Sequence, residues 1–161
     1  VQTVKDAVRR LKPLLPASVK VYLKIGDIDK NVFAHTMLVD QILTNLTENA
    51  AEAMPGGGDL KIELVQDDYD PVSVGIDPAY APGRYVVLSV TDTGFGISKE
   101  ETERIFEPYF TTKGMGESSG MGLAVVHGIV NDLGGHIRVE SEPGSGSRFE
   151  LFFPAIDDES V

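Results

Sequence analysis

Apolar residues recur along this chain with two periods, near 3.6 and near 2, and the switches between them mark out its elements. Val1, Val4, Val8 and Leu11 fall at helical spacing until Pro13 interrupts, with no start signal ahead of them. Residues 1–15 therefore read as the tail of a longer helix, and the chain as a piece whose upstream part supplies a partner element. Pro16 opens a link. Val19, Val21, Leu23 and Ile25 then alternate with Ser18, Lys20, Tyr22 and Lys24, the pattern of a half-buried strand. Gly26 to Asn31 makes a turn, Val32-Phe33 a short strand, and Thr36 the N-cap of the next helix. In that helix, Val39 to Met54, the residues Val39, Ile42, Leu43, Leu46, Ala50 and Ala53 share one stripe, and Pro55-Gly56-Gly57-Gly58 ends it.

Leu60 to Val65, with Leu60, Ile62 and Leu64 inward, and Tyr85 to Asp92, with Val86, Leu88 and Val90 inward, are predicted to pair. Gln66 to Arg84 between them is rich in Asp, Pro and Gly and reads as a surface excursion. Ser98-Lys99-Glu100-Glu101 is a capping box that opens a short helix running to about Phe106 and ended by Pro108. Thr111 to Gly120 is a glycine-rich loop, and Met121 to Leu133 a helix closed by Gly134-Gly135. His136 to Glu142 and Ser147 to Phe153 flank the turn Pro143-Gly144-Ser145-Gly146. Strands and helices mix without strict βαβ alternation, which predicts an α+β two-layer sandwich, helices on one face of a mixed, mostly antiparallel sheet. The expected division is 1–18 as helix tail and linker, 19–155 as the working domain and 156–161 as an acidic tail.

Composition narrows the partners. The 161 residues, 42% hydrophobic, suffice for one core. A net charge of −11 disfavours binding through nucleic-acid phosphates or anionic lipid, so an anionic ligand must be held locally. No cysteine is available for a disulfide or thiolate metal site, the three histidines are scattered, and no apolar run approaches the roughly 20 residues of a membrane span. The expectation is a soluble domain without a signal peptide.

Three stretches carry candidate chemistry. Asn45 and Asn49 border the apolar stripe of the long helix, with Gln41 and Glu52 along the same line. A carboxamide oxygen suits a hard cation such as Mg²⁺; the alternative, that both asparagines are solvated or bond nearby backbone, stays open on these residues alone. Asp92 ends an apolar strand ahead of Gly94 and Gly96, where a carboxylate can accept a hydrogen bond from an exocyclic amine such as that of adenine. A simple Asp-x-Gly turn is the other reading. Gly120-Met121-Gly122-Leu123 stands where a loop becomes a helix, so free N–H groups and the positive helix end make an anion site. It is neither a Walker A motif nor a Rossmann fingerprint, which leaves a nucleotide fold with a lid rather than a rigid P-loop. Lys113 and Thr112 lie at the near hinge of that lid, Lys113 either as a point charge for phosphates or as a solvated lysine.

Taken together, NLTENAAEAM, DTGFGI, IFEPYFTTK and GMGLAVVHGIV, in this order, resemble the N box, first glycine box, F box and second glycine box of the catalytic and ATP-binding domain of sensor histidine kinases. The wider superfamily of that Bergerat-type fold includes the type II topoisomerase, MutL and heat-shock chaperone ATPase domains. The resemblance covers about Val32 to Phe153, and its F box and second glycine box look most like kinases of bacterial two-component systems.

The resemblance implies ATP and Mg²⁺ as cofactors, Asn49 as the Mg²⁺ ligand, and Asn45 beside it toward the triphosphate. It implies Asp92 on the adenine amine, with Gly94, Gly96 and Ile97 around the ring, and Phe106 and Phe110 anchoring the lid. Gly120, Met121, Gly122 and Leu123 would present backbone to the phosphates, with Lys113 and Thr112 assisting. The implied partners are an upstream helical dimerisation and phosphoacceptor domain and, indirectly, a response-regulator receiver domain, in a cytoplasmic setting with no nucleic acid and no membrane contact. Relatives that hydrolyse ATP carry a glutamate where Asn45 stands, and Asn45 cannot take a proton. His35 and Glu52 depart from the family pattern, which predicts modest triphosphate affinity. No His-Glu-x-x-Asn box occurs, so the chain alone is expected to bind ATP without phosphorylating itself. The rival readings are a nucleotide-binding regulatory module, an ATPase of the topoisomerase or MutL type, and a serine kinase of the anti-sigma kind.

Overall fold

The structure, a computed structural model, describes residues 1–29, 36–70, 82–107 and 122–156. Helix α1 (Gln2–Leu11) buries Val4, Ala7, Val8 and Leu11, and the chain tightens into a 3₁₀ turn over Lys12–Leu14, where Pro13 removes an amide donor. Strand β1 (Val19–Ile25) follows, then helix α2 (Thr36–Glu52), strands β2 (Gly58–Tyr69) and β3 (Gly83–Asp92), helix α3 (Lys99–Thr102), helix α4 (Gly122–Asp132) and strands β4 (His136–Ser141) and β5 (Ser147–Pro154).

The five strands form one sheet in the order β1-β2-β3-β5-β4, with β1 parallel to β2 and every other pair antiparallel. Strand side chains alternate between faces, and the register puts Leu60, Ile62, Leu64, Val86, Leu88, Val90, Phe149, Leu151 and Phe153 on one of them. That face carries the helices. α2 packs between α1 and α4, and Ile42, Leu43, Leu46, Ala50, Val126 and Val130 join the α1 residues in one core with the sheet. The predicted two-layer α+β sandwich is what forms. β3 lies at the centre of the sheet with Tyr85 to Val90 all buried, so the residue at its end is held rigidly at the sheet's rim. That residue is Asp92.

Helix α4 ends in a Schellman motif: Gly134 has φ +75°, its N–H donates to Asn131, and the Gly135 N–H donates to Val130. The capping box forms as predicted, Ser98 Oγ accepting from the Glu101 N–H and the Glu101 carboxylate accepting from the Ser98 N–H. Its helix is shorter than the run to Phe106, because α3 stops at Thr102 and loosens into turns.

Tertiary pairing overrides other expectations. Gln66–Tyr69 and Gly83–Arg84 belong to β2 and β3 rather than to a surface excursion, since each strand offers the other a ladder. Leu23 is exposed because β1 is an edge strand. Thr36, the expected N-cap, is the first described residue of α2. Thr47 is buried and donates its hydroxyl to the Thr44 carbonyl. The short strand read at Val32-Phe33 lies outside the described residues.

On the other face, Tyr85, Val87 and Phe152 pack with Val65 and Tyr69. His136 stacks on Phe152 (centroids 4.9 Å, 14° between planes) and meets Tyr85 edge-on at 5.7 Å. Burial pushes the imidazole below its ordinary pKa of 6.5. The unfolded chain then binds this proton first, so the neutral ring's contribution is whole above pH 6.5 and is lost as pH falls through that value toward the folded-state pKa. Melting temperatures measured from about pH 7.5 to about pH 5 should fall more steeply for the wild type than for His136→Phe. Parallel pH profiles would remove His136 as the source.

Candidate functional site

One row of α2 organises the site. Asn45, Asn49 and Ala53 stand four residues apart and so lie one above another on the same helix face. All three are partly buried, at the border of the stripe formed by Ile42, Leu43, Leu46 and Ala50. Ala53, predicted to sit within that apolar stripe, continues this row past the end of the helix. Eight residues of helix span about 12 Å, and each end of the row meets a different glycine.

At the Asn45 end stands Gly122, the first described residue of α4; a β-carbon there would approach the Asn45 Oδ1 to 3.5 Å. The positive end of α4 thus faces Asn45. At the Ala53 end stands Gly94, where any β-carbon would collide with the Ala53 carbonyl, and the Phe95 N–H donates to that carbonyl at 3.1 Å. The loop after β3 is therefore bonded to the end of α2. Thr93 reinforces the joint, its Oγ1 accepting from the Asp59 N–H at 3.0 Å and lying against the Met54 sulfur.

Asp92 is 3% exposed, on the helix-bearing face of the sheet. Its Oδ1 accepts from the Gly94 N–H at 2.9 Å, and the Ser147 N–H also donates to the carboxylate. Burial raises its pKa above the ordinary 3.8 and outweighs those two bonds, which favour the ion. A carboxylate placed against its own solvation in this way is poised to accept from a ligand donor.

The β4–β5 hairpin clamps the same loop from behind. The Gly144 N–H donates to Phe95 at 2.7 Å and the Ile97 N–H to Ser141 Oγ at 2.7 Å. Gly96, at φ +75°, leaves no room for a β-carbon against the Glu142 carbonyl, nor does Gly146, at φ +81°, against the Asp92 carbonyl. Only glycine combines these dihedrals with such approaches. Sequence reasoning missed this clamp: the Pro143-Gly144-Ser145-Gly146 signal marked a hairpin, and its two glycines were the only hint of a second role.

Other candidates fall into place unevenly. Ile97 and Leu123 are partly buried and pack against the core. Phe106 stacks on His127 of α4 (centroids 5.1 Å, 28°), joining the turns after α3 to the helix that begins at Gly122. Glu48 and Glu52 are exposed. Phe110, Thr112, Lys113, Gly120 and Met121 lie outside the described residues. Among the described residues no group of three His, Cys, Asp or Glu forms a metal cage, and no helix is long and apolar enough to cross a membrane. An open cleft between α3 and the hairpin, lined by Lys99, Glu103, Ser141, Ser147 and Arg148, adjoins Asp92 but neither asparagine.

Residues 34–157 match the family described as histidine kinase-, DNA gyrase B-, and HSP90-like ATPase. The chain is 38% identical over 120 residues to the sensor kinase CckA of Brucella abortus (strain 2308), an alignment covering 74% of this chain and 13% of that protein. It is 42% identical over 114 residues to the sensor histidine kinase ZraS of Escherichia coli O157:H7, covering 71% and 21%. The solved catalytic domain of the histidine kinase ThkA superposes with a TM-score of 0.73 at 27% identity, covering 95% of this chain and 90% of that one. The chain thus spans about a fifth or less of the length of these two curated relatives.

Proposed function

Since the chain belongs to the histidine kinase-, DNA gyrase B-, and HSP90-like ATPase family, and its sequence relatives are sensor histidine kinases, we propose that it binds Mg²⁺-ATP and donates the γ-phosphate to a histidine on a separate helical domain. The observation that carries this reading is the α2 row, with a carboxamide pair and a helix N-terminus at one end and a desolvated carboxylate on a glycine loop at the other. A nucleotide is built the same way, anionic at one end and a hydrogen-bond donor at the other.

In this reading Asp92 accepts from the adenine amine, and Gly94 and Gly96 leave the loop backbone bare for the ring. Asn49 supplies one neutral oxygen to Mg²⁺, which fits an ion that keeps most of its waters and takes other ligands from substrate phosphates. The metal, when bound, neutralises charge on the phosphate oxygens. Asn45 and the N–H groups at the start of α4 face the phosphates, and Lys113, Thr112 and Gly120 assist from the segment between α3 and α4. No side chain of the row can accept a proton from water: Asn45 is an amide and Glu48 is exposed on another face. Positioning and charge neutralisation then carry the chemistry, with an imported imidazole as nucleophile. We also propose that residues 1–18 lead in from that helical domain, that 19–155 form the ATP-binding unit, and that the parent protein works in the cytoplasm and passes the phosphate to a receiver domain.

The test joins this chain to an upstream helical region bearing the acceptor histidine and supplies γ-³²P-ATP. Acid-labile phosphohistidine is the expected product. ATP binding without any such label would contradict phosphotransfer and favour a nucleotide-binding regulatory module, while steady phosphate release by the isolated chain would favour an ATPase.

A further inference from the structure

The hairpin grips the loop after β3 through one hydroxyl that has more partners than protons. Ser141 Oγ accepts the Ile97 N–H at 2.7 Å, lies 3.0 Å from the Gly146 carbonyl oxygen, and lies 2.8 Å from Ser147 Oγ. A hydroxyl has one hydrogen to give and two lone pairs to fill. Gly146 is buried, and a buried carbonyl requires a donor. The Ser141 hydroxyl donates to it at 3.0 Å. With its proton on Gly146, Ser141 has two lone pairs left, one for the Ile97 N–H and one for the Ser147 O–H. Every valence is then used.

The consequence falls on Ser147. Its proton is committed to Ser141, so toward any other group its oxygen can only accept. Ser147 is the register partner of Asp92 across β3 and β5, it is 5% exposed, and its N–H bonds the Asp92 carboxylate. The opposite proton order, Ser141 donating to Ser147, would withdraw that donor from the Gly146 carbonyl and free a hydroxyl proton beside Asp92.

We infer that Ser141 is a positioning residue for base selection: by holding the Ser147 proton it keeps the edge beside Asp92 free of donors, which suits a 6-amino purine and rejects a 6-oxo purine. This rests on the ATP-binding reading of the site. Asp92 supplies the charge, and Ser141 fixes the sense of the hydrogen bonds around it.

The experiment titrates the full 161-residue chain with ATP and with inosine triphosphate, which carries an oxo group in place of the amine, by calorimetry. Ser141→Ala should lower the ATP-to-ITP preference about tenfold, by weakening ATP and sparing ITP, while Ser141→Thr, which keeps the hydroxyl, should restore most of it. A purely structural role would weaken both nucleotides alike, and an unchanged ratio or an equal loss overturns the inference. Should Ser141→Ala not fold, Ser147→Ala, which leaves no hydroxyl donor at that edge, should keep the ATP-to-ITP preference; its loss there overturns the inference too. A wild-type chain that binds neither nucleotide refutes the site itself, whereas a wild type that binds ATP with the ratio intact in Ser141→Ala refutes only the role of Ser141.

Discussion

Asp92→Asn should cost at least about 100-fold in ATP affinity with little net change in the stability of the nucleotide-free fold. The affinity loss has two sources. A hydrogen bond to an ionised acceptor becomes one to a neutral amide, and the side chain keeps only one oxygen. The Gly94 N–H, 2.9 Å from Oδ1, claims that oxygen. What then faces the base is an amide donor, which opposes an amine and tolerates an oxo group, so the preference for ATP over ITP should vanish or invert. Stability has two opposing sources, because the Ser147 N–H loses its acceptor while a buried charge is relieved. Burial raises the Asp92 pKa above its ordinary 3.8, so the group's stabilising contribution is complete below that value and is lost as pH rises through the folded-state pKa. At neutral pH the ionised carboxylate is therefore a cost to the fold, which the proposed ligand role accounts for. Calorimetric titration together with thermal melting at pH 7.5 checks both halves. A variant that melts lower and loses ATP and ITP equally would recast Asp92 as a structural turn residue.

Asn49→Ala should abolish the Mg²⁺ dependence of ATP binding and lower phosphotransfer to an acceptor histidine by about 10³-fold. Asn49 is one of the two carboxamides on the site row, and the described residues offer no carboxylate cage to replace it. On the proposed reading its removal takes away the metal ligand, and it opens no core cavity, since Asn49 is only partly buried and borders the stripe of Ile42, Leu46 and Ala50. Alanine is also the better helix former by about 0.5 kcal/mol, so the variant should melt no lower than the wild type. Titrations with and without Mg²⁺ should superimpose for the variant and differ for the wild type. Persistent Mg²⁺ enhancement would transfer the metal role to another residue.

The same two residues show how far the sequence could be read. Asp92 was legible because an apolar alternation ends on it and two glycines follow, a local pattern that needs no tertiary knowledge. The long helix was legible for the same reason, and its asparagines could be placed on the border of the buried stripe by counting at 100° per residue. What holds Asp92 in place was not legible. The clamp joins Gly96 to Glu142, Phe95 to Gly144 and Ile97 to Ser141, pairs 44 to 49 residues apart, and no local periodicity reports such distances. Strand ends were misjudged where pairing extends them: Gln66 to Tyr69 look like loop by composition but find a ladder in Gly83 to Val86. Leu23 kept a strand's alternation yet lies exposed, because sequence pattern does not say which strand forms the edge. The two ends of the α2 row likewise needed the fold, since Gly94 and Gly122 meet Ala53 and Asn45 only once β3 and α4 are packed against α2.

The most direct measurement is a two-step nuclear magnetic resonance titration of the isotope-labelled chain, first with adenosine and then with Mg²⁺ and a non-hydrolysable ATP analogue. Adenosine should shift the backbone amides of Gly94 and Gly96 and leave the side-chain amides of Asn45 and Asn49 in place, and the analogue should move all four. Side-chain amides of Asn45 and Asn49 that stay still under saturating analogue, while Gly94 and Gly96 respond, would show that the carboxamides and the carboxylate do not hold one nucleotide between them.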